Sequence, residues 1–339
     1  MTKISYPWDD VPDPGTAQQV ADGILWLRLP LPMALDHVNV YALDDGDGWT
    51  LVDTGMKWGK VPAMWDDLLA GPLGGKPVVR IIGTHHHPDH IGYHGFFMDR
   101  GAELMMTRTA YLMGRMLTLD RQDAYTPTQI QFYQRAGMRA DLLDRRKTDR
   151  PFNFADIVHP LPLGFTRLDE GLKIQAGGRD WTVHIGNGHA PGHATLWTDD
   201  VVLTGDQIIP SISSNIGVYP TEPDANPLAD WLESCERLAQ FATGDQLALP
   251  GHKRPFRGLP LRLKQLLDNH HGVLDRLRHT LQTPKSAGDV FLDVFKRPIG
   301  DGEYGLALVE ALAHCNYLWH AGDATRVLSD DGKYLFKTQ

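Results

Sequence analysis

Residues 84–92 read Thr84-His85-His86-His87-Pro88-Asp89-His90-Ile91-Gly92, a His-x-His-x-Asp-His run on a short turn. Imidazole nitrogen and carboxylate oxygen suit zinc, and also iron or manganese. Such a turn can aim His85 and His87 at one metal while Asp89 and His90 face a second; alternation points His86 away. Three more clusters follow: Gly188-His189-Ala190-Pro191-Gly192-His193, Leu203-Thr204-Gly205-Asp206 and Leu249-Pro250-Gly251-His252. Two metals ~3.5–4 Å apart can share one hydroxide and polarise a carbonyl or phosphoryl oxygen. That chemistry needs no serine or cysteine nucleophile.

Each cluster follows an apolar run that reads as a strand. Ile24–Leu29, Val38–Leu43 and Trp49–Val52 predict strands, the last leading into Asp53-Thr54-Gly55, and Asp44-Asp45-Gly46-Asp47-Gly48 is hairpin-turn material. Residues 58–71 favour a helix, and Val78–Gly83 is a buried strand ending at the histidine run. Further strands are expected over Leu172–Gln175, Trp181–Ile185, Ala194–Thr198, Val201–Leu203 and Gln246–Leu249, with a helix over 225–242. Metal-binding residues would thus sit on loops at strand ends, where a rigid scaffold can aim them. Residues 108–160 interrupt the strand pattern and read as a helical insert, with Tyr111, Met113, Met116, Tyr125 and Tyr133 suited either to plain packing or to covering a substrate. Beyond residue 258 come three helices (Leu261–Leu281, Ala287–Phe295, Tyr304–His320) and a hairpin around Ser329-Asp330-Asp331-Gly332, the order of a winged helix. The expected domains are therefore 1–258 and 259–339.

Net charge is −9, from 33 basic and 42 acidic side chains, which argues against a general electrostatic grip on nucleic acid or anionic membrane. The tail from Leu259 is neutral, with ten basic and ten acidic residues, and lacks the basic footprint of a nucleic-acid binder. Cys235 and Cys315 have no metal-site spacing and read as reduced thiols. No run approaches the ~18 apolar residues of a membrane span, and the N-terminus has no signal-peptide core. A cytoplasmic chain is the expectation.

Taken in order, these clusters resemble the metallo-β-lactamase superfamily over roughly residues 20–258. The resemblance implies an α/β (α+β) fold, a four-layer αββα sandwich with a two-metal site on its edge. It further implies that His85, His87 and His189 hold the first metal, that Asp89, His90 and His252 hold the second, and that Asp206 bridges both. His193 would orient a ligand or the bridging carboxylate, and Asp53 would support the histidine loop. His37, on a loop expected near the site mouth, and Tyr111 of the insert are candidate substrate contacts.

Within that superfamily the triplet His85-His86-His87 resembles hydroxyacylglutathione hydrolases, but the stretch Gln207–Ser213 lacks their Gly-rich, basic grip on glutathione. Ile209 stands where quorum-quenching lactonases carry a tyrosine. The stretch Asp206–Pro210 through Ser214–Gly217, the Trp231-Leu232 helix and the appended tail are most similar to the lactamase-beta-2-like group. The implied enzyme is a dinuclear hydrolase: metal-bound hydroxide attacks the carbonyl of a small thioester, ester or lactone, with Asp89 managing the proton. Two divalent cations are implied, zinc first, with iron or manganese as alternatives. The second reading is an endoribonuclease or phosphodiesterase of the same group. The expected partner is a small-molecule substrate, not nucleic acid or membrane; the C-terminal domain would serve packing or self-association into a homo-oligomer.

Overall fold

The structure, a computed structural model, describes residues 3–339. It contains two compact units. The first runs to Arg121 and takes in Asn153–Ser214 and Leu238–Leu263; the second collects Gln122–Phe152, Asn215–Arg237 and Lys264–Gln339.

The first unit is built on two sheets. One has seven strands in sequential order: β1 (Ala17–Ala21), β2 (Ile24–Pro30), β3 (His37–Asp44), β4 (Trp49–Val52), β5 (Val78–Ile82), β6 (Glu103–Thr107) and β7 (Thr166–Leu168). Pairing is antiparallel from β1 to β4 and parallel from β4 to β7. The other sheet has the order β13-β12-β11-β10-β9-β8, from β8 (Lys173–Ala176), β9 (Arg179–Gly186), β10 (His193–Trp197), β11 (Val201–Gly205), β12 (Leu247–Pro250) and β13 (Phe256–Arg257). Here only β11 and β12 pair in parallel.

Alternation along the strands divides the apolar side chains between two cores. Trp26, Tyr41, Leu43, Val52 and Ile82 of the first sheet meet Trp181, Val183, Leu196, Leu203 and Leu249 of the second. On the other face of the first sheet, Leu27, Leu29, Val40, Leu51 and Ile81 pack under helices α1 (Val61–Ala70), α2 (Pro88–Ile91), α3 (His94–Met98) and α4 (Arg108–Leu119). Trp65 of α1 is buried there, edge-on to Phe97 of α3 with ring centres 5.0 Å apart. Burying a ring of that size contributes on the order of 2–3 kcal/mol. The expected two-sheet α/β sandwich is thus present. Strands β6, β7 and β13 are additional to the sequence expectation; β7 has three residues and β13 two, too short for a hydrophobic period.

The second unit holds α5 (Pro127–Arg135) and α6 (Ala140–Arg146), then most of α7 (Pro227–Leu238) and α8 (Leu259–Thr280), then α9 (Phe291–Phe295), α10 (Tyr304–His320) and the hairpin β14 (Ala324–Leu328) with β15 (Tyr334–Thr338). Its division from the first unit differs from a single cut at residue 258. Long α8 begins in the first unit and runs unbroken past Leu263 into the second, and the insert expected over 108–160 is shared. Its first helix, α4, docks on the first sheet through Ala110 and Tyr111, and only 122–152 joins the second unit. The tail has the expected helices and hairpin, but its middle helix, α9, has five residues. Among the described residues no helix is long and apolar enough to cross a membrane. Both cysteines are buried.

Candidate metal centre

The candidate ligands lie on loops that follow β5, β9, β11 and β12, and the supporting Asp53 follows β4, each at a strand's C-terminal end. β4 delivers Asp53 and β5 the histidine run, and these two pair in parallel; so do β11 and β12, which deliver Asp206 and His252. Parallel neighbours put consecutive C-terminal loops side by side. Backbone bonds tie the two sheets together here, Ala194 N–H donating to Thr84 O (2.7 Å) and Asn39 N–H to Gly251 O (2.7 Å), while Gly251 N–H to Gly205 O (2.9 Å) joins the β11 and β12 loops within one sheet.

The side chains converge in two overlapping groups. His85, His87 and His189 offer ligand atoms within 4.8 Å of one another, as do Asp89, His90 and His252; a third such set, His85, His90 and Asp206, joins them. His85 Nε2 faces His87 Nδ1 at 2.9 Å. Asp206 Oδ2 lies 3.5 Å from His189 Nε2, 3.5 Å from His90 Nε2 and 3.2 Å from His252 Nε2. One carboxylate oxygen therefore faces both groups. His86 belongs to no such group and is buried beside α4, where a Cβ added to Gly114 would lie 3.7 Å from its own.

Supporting bonds set which ring nitrogen faces inward. Asp53 Oδ1 accepts from Thr84 N–H (2.8 Å), while its Oδ2 accepts from Thr84 Oγ1–H (2.8 Å) and from His90 Nδ1–H (2.7 Å). Thr84 Oγ1, having given its proton to Asp53, accepts from His85 Nδ1–H at 2.9 Å. His252 Nδ1–H donates to His37 O (2.7 Å). In all three rings Nδ1–H donates outward and Nε2 faces the centre, the arrangement that fixes the tautomer and raises basicity when a metal is bound. His193 is fully buried, stacks on His85 (4.6 Å) and accepts from Asp206 N–H through Nε2 (3.0 Å). Gly205 makes room for it, since a Cβ there would lie 2.5 Å from the ring.

Burial and charge divide the histidines. Burial, reinforced by neighbouring imidazoles, holds His85 and His87 well below the usual histidine range, so both are neutral. Burial also opposes charge on His90 and His252, but Asp206 and Asp89 outweigh it. They raise His90 well above its ordinary value and His252 to about 10. Burial would raise the Asp206 carboxyl, yet His252 and His90 hold it well below the normal range. The two carboxylates at the centre are thus balanced by two protons that cations would displace. His90 Nε2 and Asp206 Oδ1 are buried without a hydrogen-bond partner. Leaving such atoms unsatisfied costs ~1–3 kcal/mol each, and a cation between them would satisfy both. The N/O donor set fits divalent metal.

Two expected substrate contacts have other surroundings. The His37 ring is buried: Nδ1–H donates to Asp36 Oδ1 (2.6 Å) and Nε2 accepts from Lys253 N–H (2.9 Å), so it holds the turn after His252. Tyr111 is buried, stacks on Phe165 (4.2 Å) and donates its hydroxyl to Pro162 O (2.8 Å). Their polar atoms are engaged within the scaffold. Sequence reasoning missed Thr84, whose place directly before the first ligand was the available signal. It also missed Asn39, whose Nδ2 donates to Pro250 O (2.8 Å) and Lys253 O (2.7 Å), and Tyr41, whose hydroxyl donates to Pro250 O (2.9 Å). No spacing rule links β3 to a turn some two hundred residues away.

The family model of the metallo-beta-lactamase superfamily matches residues 33–252. The chain belongs to that superfamily. A model of the metallo-beta-lactamase-like C-terminal domain matches 274–339. Among superfamily relatives, a beta-lactamase domain protein from Burkholderia ambifaria is 35% identical and superposes with a TM-score of 0.90, over 99% of this chain and 98% of its own. A metallo-beta-lactamase family protein of Thermus thermophilus is 28% identical with a TM-score of 0.79, covering 95% and 100%. The probable metallo-hydrolase YqjP of Bacillus subtilis (strain 168) is 26% identical over 326 residues, 94% of this chain and 98% of its own. The protein is a metal-dependent hydrolase of this superfamily.

Proposed function

We propose that the protein hydrolyses a small thioester, ester or lactone at a dinuclear centre of divalent cations, zinc in the first place. The observation that carries this reading is Asp206 Oδ2, placed 3.2–3.5 Å from histidines of both ligand groups. His85, His87 and His189 would hold one cation; Asp89, His90 and His252 the other; and Asp206 both. Bound there, the cations would polarise a carbonyl oxygen and bring a water's pKa towards ~7.

The chain's own residues do the rest. Asp53 and Thr84 keep His85 and His90 in the ligating tautomer, and His193 holds the Asp206 backbone. Of the two carboxylates at the centre, Asp89 is the more exposed, 16% against 7% for Asp206. It is also 3.3 Å from His252 Nε2, and we assign it the proton released as water adds to the carbonyl. Geometry ranks above pKa in such an assignment. The neutral tail supports a small substrate rather than a polymer.

The test is a screen of protein loaded with zinc, manganese or iron against acyl thioesters, lactones, aryl esters, phosphodiesters and single-stranded RNA. Turnover of carbonyl compounds by wild type, lost with Asp206→Ala along with bound metal, is the expected result. Activity confined to RNA or phosphodiesters would overturn the carbonyl assignment. Full activity of Asp206→Ala would overturn the bridging one.

A further inference from the structure

Residues 206–214 form no regular helix or strand, yet they begin with Asp206 and bury Ile208 and Ile209. Carbonyl groups in such a segment need donors. Three side chains of the first unit supply them. Thr204 Oγ1–H donates to Ile208 O (2.8 Å), and Ser214 Oγ–H donates to Asp206 O. Arg262 does the most: Nε–H donates to Ile209 O (2.6 Å) and Nη2–H to Ile212 O (2.7 Å). Arg262 is only 8% exposed. Burying a guanidinium is costly unless its donors are used, and its rigid fork fixes the separation of the two carbonyls it bonds, which a lysine ammonium on a flexible stem does not.

We infer that Arg262 is a positioning residue for the metal-bridging loop: its fork sets the path of residues 209–212 and, through them, the reach of the Asp206 carboxylate. The inference rests on the bridging reading of Asp206. Arg262 lies in the first turn of α8, with its N–H bonded to Gly258 O at 3.0 Å. The same helix runs through residue 274, where the match to the C-terminal domain begins.

The experiment compares full-length wild type with Arg262→Met and Arg262→Lys, reading zinc stoichiometry and affinity by competition with a chromogenic chelator and the visible spectrum of the cobalt(II)-loaded protein. Circular dichroism and the apo unfolding transition report the fold. Groups that orient metal ligands typically cost 10–100-fold in affinity when removed. Arg262→Met is expected to bind zinc ~10-fold or more weakly and to shift the cobalt bands with its fold retained; Arg262→Lys, with one carbonyl bonded, should fall between. Affinity and spectrum of Arg262→Met within twofold of wild type would overturn the inference. If Arg262→Met does not fold, Arg262→Lys decides, and a wild-type spectrum and affinity there would overturn it equally. Wild type binding a single zinc would sink the dinuclear reading separately, since the variants are then compared on that one site.

Discussion

At Asp53 the backbone adopts φ 61°, a left-handed conformation that costs a residue with a Cβ free energy. The conformation turns the chain sharply as it leaves β4, so that one carboxylate meets Thr84 twice and His90 once. Strain at one residue is offset by three bonds, two of which decide how His85 and His90 present themselves. Replacing Asp53 with Ala should weaken metal binding by ~10–100-fold while every ligand stays in place. Chelator competition on the folded variant measures this, and wild-type affinity would show that Thr84 alone maintains the tautomers. The histidine run, Asp206 and His252 were legible as candidate ligands because their residue types and Gly-rich turns announce them. Thr84, Asn39 and Tyr41 were not, since hydroxyl and amide side chains serve any loop and only contact shows which loop they serve.

The elements divide into those that aim ligands and those that burden the fold. Helix α2, four residues beginning at Pro88, carries Asp89 and His90, and its closing Gly92 packs so near the Gly55 carbonyl that a Cβ would lie 2.3 Å away. In α10 of the second unit, burial pushes the Glu310 carboxyl up to about 7, while Asn215 Nδ2–H (2.8 Å) favours its charged form. The folded pKa lies above the unfolded value near 4.5. Its stabilising contribution is therefore complete below pH 4.5 and is lost as pH rises through 7. Glu310→Gln should consequently gain ~1–3 kcal/mol over wild type at about pH 8 and nothing at about pH 4.5. Urea unfolding at the two pH values checks it; equal differences at both would mean that the carboxyl titrates normally. Periodicity found α10 and the strands of the sandwich. It missed β7 and β13, which exist because neighbouring strands supply their hydrogen bonds.

For the whole molecule, the metal centre joins loops from both sheets, so cation binding favours the folded sandwich over the unfolded chain. At about a hundred times the dissociation constant, each site adds ~2.7 kcal/mol. Chelator should lower the unfolding temperature by several degrees and stoichiometric zinc should restore it, as calorimetry would show. An unfolding temperature indifferent to verified metal removal would contradict the shared site. By itself the sequence determined the α/β class and pointed to metal chemistry and the candidate residues that could supply it, since ligand type, turn glycines and strand periodicity are local properties. Tertiary structure alone decided that Asp206 faces both histidine groups, that His37 and Tyr111 spend their polar atoms inside the scaffold, and that α8 supplies Arg262 to the bridging loop. Those outcomes depend on which distant backbone groups lack partners, and only the folded chain brings the donors that satisfy them.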